Sequence, residues 1–114
     1  MHIFEPIVLK KIICSQEFFN KVMPIVEENH FSEIGTQRLF GLIKDHYRDY
    51  REVPTLTELV AKVKNVSDAE IRKEIINSLI AVNDTEEVKN IQFISDETVQ
   101  WIKDTMYLEA LRVG

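Results

Sequence analysis

The chain has 114 residues, of which 45% are hydrophobic and 29% are charged, and its formal net charge is −5. This length fits one domain, and the hydrophobic fraction is enough for a core, which excludes an intrinsically disordered segment. The acidic balance, without a dense basic patch, excludes strong nucleic-acid binding through phosphates. The apolar runs are too short to span a bilayer. We therefore expect a protein partner and no membrane association.

Cys14 is the single cysteine of the chain, so it can form neither an internal disulfide nor a thiolate zinc cluster. Because Cys14 follows Ile12 and Ile13 in an apolar run, we expect a buried small side chain rather than a reactive thiol. The amino-terminal segment has its lysines after the apolar residues, the reverse of a signal peptide. The expected location is therefore cytoplasmic.

The scarcity of glycine and proline, three of each, predicts helices joined by short turns rather than a β-sheet. The first helix is predicted to begin at Pro6, since the N–H that proline lacks has no partner in a first helical turn. Ser15 is predicted to cap a second helix. Pro24 is predicted to end or kink that helix, and a turn follows over residues 27–30.

The third predicted helix has the most regular apolar stripe of the chain and ends near Arg51. Its spacing is helical. The stripe consists of Leu39, Phe40, Ile43, Tyr47 and Tyr50. We expect Leu39, Phe40 and Ile43 to lie in the core. The two tyrosines are expected in the core or at its edge, because no cluster of basic residues accompanies them as in a platform for stacked bases.

Two capping boxes predict the next two helices. In such a box, a hydroxyl accepts a hydrogen bond from one unpaired amide, and a glutamate three residues later accepts from another. The first box begins at Thr55 and opens a short fourth helix that ends around Asn65. The second begins at Ser67 and opens a fifth helix, whose core residues are predicted to include Ile75 and Leu79.

The last predicted helix opens at Ser95, after a turn-like stretch over residues 83–94. It has two apolar stripes where a surface helix of a single domain needs one. The first stripe, predicted to pack on the domain itself, consists of Val99, Ile102, Met106, Ala110 and Val113. The second consists of Trp101, Leu108 and Leu111, which we interpret as a partner or oligomer interface. For Trp101 itself, the core is the favoured location and the contact surface is the alternative.

The helical pattern of this last segment still continues at Gly114. We therefore predict a helical globular domain over residues 1–94 and the truncated start of a linker helix over residues 95–114. A two-fold, self-complementary contact is the expected form of self-association through this helix, because it is the commonest arrangement in small homo-oligomers.

No motif of catalysis or nucleotide binding occurs in the sequence. The patterns GxxxxGK[ST], GxGxxG, GxSxG and HExxH are all absent. Two groups of charged residues have spacings that a metal site can use. They are Asp45, His46 and Asp49 in one helical turn, and Glu27, Glu28 and His30 in a loop. Such groups more often form a solvated surface, so we predict no catalytic, cofactor-binding or metal-binding residue.

The segment FSEIGTQRLFGLIKDHYRDYREVPTLTEL, residues 31–59, contains the most distinctive pattern. An aromatic residue precedes a Leu-Phe pair with an isoleucine three residues on, and a Val-Pro-Thr loop then leads into a helix. With its flanks, this pattern resembles the N-terminal domain of replicative hexameric helicases of the DnaB type, and the tailed-phage versions are the most similar. Ile7–Ile13 and Gln16–Ile25 resemble the first two helices of that domain. Residues 101–113 resemble the start of its helical hairpin.

The resemblance implies an all-α fold, a compact bundle of five or six helices whose last helix leads into a hairpin linker. It also implies a non-catalytic collar module that helps to build the helicase ring and docks primase or a helicase loader. Unwinding, with ATP and Mg²⁺, would then belong to a separate motor domain. Since the hairpin pairs between subunits in that family, Trp101, Leu108 and Leu111 are the expected self-association contacts.

Two other classes of function remain open from the sequence. One is a free-standing small helical adaptor or regulator that binds another protein. The other is an enzyme, which the missing nucleophile, base and metal set disfavours. A reading frame that continues past Gly114 into a phosphate-loop motif would favour the helicase collar over the adaptor.

Overall fold

The structure, a computed structural model, describes residues 3–113. This part of the chain forms six α-helices and one short 3₁₀-helix, with no strand. In chain order they are α1 (Phe4–Cys14), α2 (Gln16–Val22), the 3₁₀-helix (Glu28–His30), α3 (Ile34–Tyr50), α4 (Leu56–Lys64), α5 (Ala69–Asp84) and α6 (Ile91–Val113). The predicted all-α fold is confirmed. Among these residues, none of the helices combines the length and apolar character that crossing a lipid bilayer requires.

Two of the predicted caps are present in the structure. The Ser15 hydroxyl accepts a hydrogen bond from the Phe18 amide at 3.1 Å. Thr55 and Glu58 form the predicted capping box, in which each backbone amide donates to the other residue's side chain, at 2.8 and 3.1 Å. The helix that Ser15 opens ends at Val22, just before Pro24.

The cap of α5 differs from the predicted one by one residue. Asp68, and not Ser67, is the N-cap residue, and its Oδ1 accepts from the amides of Glu70 and Ile71 at 3.0 and 3.1 Å. The two residues are competing caps, because both have a short side chain with an acceptor oxygen.

The start of α6 also differs from the prediction. The helix begins at Ile91, four residues before Ser95, and the Asn90 side chain accepts from the Phe93 amide at 2.8 Å. The expected domain division between residues 94 and 95 therefore falls inside a continuous helix. Ile94, which is 1% exposed, belongs to the core.

The core lies between α3, α5 and the helices around them. The buried apolar side chains include Leu39, Phe40, Ile43, Ile75 and Leu79. Helix α3 packs mainly on α5, and at their contact Gly35 lies against the backbone of Glu74. The hydroxyls of Thr36 and Ser78 form a buried hydrogen bond of 3.2 Å.

Two charged side chains of α1 are buried, which the sequence patterns did not predict. Lys11 is 3% exposed, and its ammonium group donates to Glu87 Oε2 at 2.8 Å and to the Lys89 carbonyl at 3.3 Å. Glu5 is 1% exposed and accepts from the Ser32 amide at 3.1 Å. Because a buried charge is stable only when it is paired, these contacts fix α1 against two loops.

Two predictions about burial were wrong. Cys14 is exposed, because it is the last residue of α1 and lies on the side opposite Ile12. Tyr50 is 64% exposed, because it is the last residue of α3 and lies beyond the core. Its ring packs instead on the ring of His46, with centroids 4.7 Å apart.

Candidate interaction surfaces

Trp101 lies in the core and not on an exposed interface. Its side chain is 5% exposed, and its ring packs against those of Phe4 and Phe31, with centroids 5.8 and 5.1 Å apart. The ring of His30 meets it edge-on at 6.1 Å. The prediction of Trp101 as an interface residue is therefore wrong for the domain as described.

The second half of α6 extends beyond the core. Met106, Tyr107, Leu108 and Leu111 are 60–67% exposed. The face that packs on the domain lies in the first half and contains Ile94, Thr98, Trp101 and Ile102.

The predicted division of α6 into two stripes was wrong, since Val99 and Met106 of the first stripe are 39% and 61% exposed. Position along the helix axis, more than the side of the helix, decides burial here. Leu108 and Leu111, of the second stripe, are exposed as an interface requires.

On the exposed part of α6, four residues share one side. Asp104, Tyr107, Leu108 and Leu111 fall within an arc of about 100° at 3.6 residues per turn. We call this group the distal stripe. Asp104 is exposed, and one of its oxygens accepts from the Gln100 side chain at 2.9 Å. The distal stripe therefore presents a carboxylate followed by three large apolar side chains.

An apolar groove of about 450 Å³ lies between α4 and α5. We call it the α4–α5 groove. It is lined by Leu56, Val60, Val63, Lys64, Arg72, Ile76, Leu79, Ile80 and Asn83. Val60, Ile76 and Ile80 are 46%, 43% and 55% exposed. The groove therefore leaves several large apolar side chains open to solvent.

The predictions from sequence did not include this groove, although a signal for it exists. Ile76 and Ile80 are four residues apart, directly beside the core positions Ile75 and Leu79. A helix with one buried face needs only one such row. The second row of α5 therefore indicated a second apolar surface.

A smaller cleft of about 290 Å³ lies beneath the second half of α6. Its lining includes Glu5, His30, Trp101, Leu108 and Glu109. The Glu5 carboxylate accepts a hydrogen bond from the Ser32 amide through both of its oxygens. The cleft shows that one edge of Leu108 faces the domain, although most of its side chain remains exposed.

The first candidate metal group, Asp45, His46 and Asp49, does not converge on one point. Arg48 pairs with the two aspartates, at 3.2 and 3.3 Å. His46 is 6% exposed and points toward Glu58, with Nε2 and the carboxylate 3.9 Å apart. The amide of Thr55, which donates to Glu58, lowers the pKa of that carboxyl, and His46 contributes to the shift.

The second candidate group forms a cap rather than a metal site. The Glu27 amide donates to His30 Nδ1 at 3.0 Å, which closes the capping box of the 3₁₀-helix. Among residues 3–113, no three side chains of histidine, cysteine, aspartate or glutamate are grouped so as to hold a metal ion. Glu27 and His30 therefore form a helix cap, and the two aspartates form surface ion pairs with Arg48.

Comparison with known proteins relates part of the chain to a phage protein. No protein-family model matches the chain. A DnaB-like replicative helicase of Enterobacteria phage T4 is 31% identical over 75 residues, which are 66% of this chain and 16% of the relative. The match thus spans about a sixth of the length of that curated protein. The similarity supports a relationship between this helical domain and a phage replicative helicase.

Proposed function

We propose that the chain is the non-catalytic N-terminal collar domain of a replicative DNA helicase. In this role it helps to assemble the hexameric ring and docks primase or a helicase loader. ATP hydrolysis and Mg²⁺ binding belong to a motor domain elsewhere in the parent protein. The observation that carries the proposal is the 31% identity to the phage helicase over two thirds of the chain.

The exposed half of α6 supports the assembly part of this proposal. Leu108 and Leu111 are each 60% exposed, and Tyr107 lies beside them. Apolar side chains grouped on one surface mark protein interfaces more often than free surface. Tyrosine is also enriched among the residues that dominate binding energies. The distal stripe is therefore the proposed self-association surface.

The α4–α5 groove supports a protein-binding role as well, because a collar needs separate surfaces for its neighbours. The α4–α5 groove involves no residue of α6. The net charge of −5 and the small number of clustered cations favour protein partners over DNA. Both surfaces therefore fit protein contacts within a larger assembly.

Sedimentation equilibrium tests the assembly part. We expect the chain to associate weakly at high concentration, and the double variant Leu108→Glu, Leu111→Glu to remain monomeric. Lys21→Glu is the control, because it also lowers the net charge by two at an exposed site of α2. A strictly monomeric parent chain, or equal association of the double variant, would contradict the proposed surface.

The docking part is tested by titration with primase and with the helicase loader of the same replication system. We expect calorimetry to show saturable binding of at least one of them to the isolated domain. If neither protein binds and the parent chain is monomeric, a free-standing adaptor becomes the better interpretation of this fold.

A further inference from the structure

The α4–α5 groove has the properties of a site for an apolar, acidic helix. Its lining includes two cations, Lys64 and Arg72, and no carboxylate, although the chain as a whole has a net charge of −5. Burying its exposed apolar side chains would be favourable, because it removes apolar area from water. An occupant must therefore combine apolar side chains with negative charge.

The charges of the groove lie at one end. Lys64 is the last residue of α4, and Arg72 lies in the first turn of α5. Only residues 65–68 separate these helices, so the two cations are at the same end. From Arg72 to Ile80, the α5 side of the groove extends over about 12 Å at 1.5 Å per residue. The groove is therefore positively charged at this end and apolar beyond it.

The distal stripe of α6 has the matching order and length. Asp104 comes first, and Leu108 and Leu111 follow at four and seven residues, over about 10 Å of helix. Tyr107 lies at the edge of the same stripe. One oxygen of Asp104 accepts from Gln100, and a carboxylate has further acceptor positions for a cation.

We propose that the distal stripe of one copy binds in the α4–α5 groove of a second copy. Asp104 then lies at the end with Lys64 and Arg72, while Leu108 and Leu111 cover the row of Val60, Ile76 and Ile80. This inference rests on the proposed self-association and identifies what the distal stripe contacts. It replaces the two-fold pairing of α6 with α6 by a contact between two different surfaces.

The arrangement has a consequence for the assembly. Every copy has both surfaces, on different elements, so binding through one leaves the other available. Such a heterologous contact adds copies in one direction, and it gives a closed ring when the rotation between copies closes. A two-fold contact would instead stop at a dimer.

Disulfide trapping distinguishes the two arrangements. Cys14 is exposed, so all variants contain Cys14→Ser. Val60→Cys places a thiol in the groove, and Leu111→Cys places one on the distal stripe. Both positions are exposed, and cysteine remains a small apolar side chain. One variant has a longer terminal tag, so that non-reducing electrophoresis separates the mixed dimer from either homodimer.

The expected result is that oxidation of the mixture gives mainly the dimer of the two different variants. Predominant Leu111→Cys homodimer would overturn the groove assignment and still support self-association through α6. No disulfide product, with only monomer in sedimentation, would overturn both this inference and the proposed self-association. Predominant Val60→Cys homodimer would also overturn the groove assignment.

Charge reversal tests the orientation. Lys64→Glu and Asp104→Lys are each expected to weaken association about fivefold, near the upper range for an exposed ion pair. The double variant restores opposite charges and should recover most of the loss. Lys73→Glu is the matched control, because it makes the same charge change at an exposed site of α5 outside the groove. Equal weakening by this control, or no recovery in the double variant, would overturn the inference.

Discussion

Gly35 in α3 lies so close to the backbone carbonyl of Glu74 in α5 that a Cβ atom at position 35 would overlap it. Gly35→Ala is therefore expected to force the two helices apart. We expect the free energy of unfolding to fall by about 1–3 kcal/mol, the usual range for overpacking. Urea denaturation measures this change.

The matched control is Gly41→Ala in the same helix. A Cβ atom there would meet Glu28 Oε1 at 2.8 Å, and this carboxylate is the mobile end of an exposed side chain. Alanine is also the better helix former by about 1 kcal/mol. Gly41→Ala should therefore be neutral or stabilising. Equal losses in the two variants would show that close packing at Gly35 is not the cause.

Phe40→Ala should lower the free energy of unfolding by about 3–5 kcal/mol, the range for an aromatic cavity in a core. Phe40 is 0% exposed, and its ring packs against that of Phe31 at 5.3 Å. The same substitution at Phe93, which is 56% exposed, should change stability by less than about 1 kcal/mol. A similar loss at both positions in denaturant titration would contradict the assigned core.

Glu87 makes stability depend on pH in the acid range. Hydrogen bonds from Lys11 and then Lys89 lower its pKa from 4.5 to about 2. A carboxyl with a lowered pKa in the folded state stabilises the protein above the unfolded pKa, and this contribution is lost as the pH falls. We therefore expect the urea midpoint to fall between about pH 4.5 and pH 2.

Glu87→Gln removes this contribution. The variant should be less stable than the parent at pH 7, and the difference should shrink toward pH 2. Glu86→Gln, at an exposed neighbouring position, is the matched control. It should show the same fall in urea midpoint at acid pH as the parent. A constant gap between Glu87→Gln and the parent from pH 7 to pH 2 would contradict the ionic role of Glu87.

Arg51→Gly should stabilise the protein. Arg51 follows the last residue of α3 with a φ of 61°, in the left-handed region. That conformation is unfavourable for residues with a Cβ atom, by about 1–2 kcal/mol, and glycine avoids most of this cost. Because glycine also loses more backbone entropy on folding, we expect a net gain of about 0.5–1 kcal/mol. A lower thermal midpoint would contradict this prediction.

The features that the sequence predicted are those that depend on neighbouring residues. Ser15 and Thr55 bond to amides three residues away, and the stripe of α3 repeats within one helix. By contrast, Lys11 is buried by a partner 76 residues later in the chain. No local pattern contains that information.

Exposure at the candidate surfaces also depends on tertiary structure, which local sequence patterns do not contain. Trp101 and Leu108 share one side of α6, and sequence periodicity gives them the same environment. The structure separates them, because the domain covers Trp101 and ends before Leu108. The α4–α5 groove exists only because two helices leave a gap, although Ile76 and Ile80 indicated that α5 has more than one apolar row.

The end of α6 beyond the core has a consequence for its motion. Residues 106–111 are exposed, so their helical hydrogen bonds have less tertiary packing to support them than those of the first half of α6. Such turns unfold locally at a free energy far below that of the whole domain. Their amides should therefore exchange with deuterium faster than those of residues 94–102. A partner that binds this segment must also order it. The entropy lost in this ordering lowers the affinity of the contact, and the bound partner can therefore dissociate rapidly.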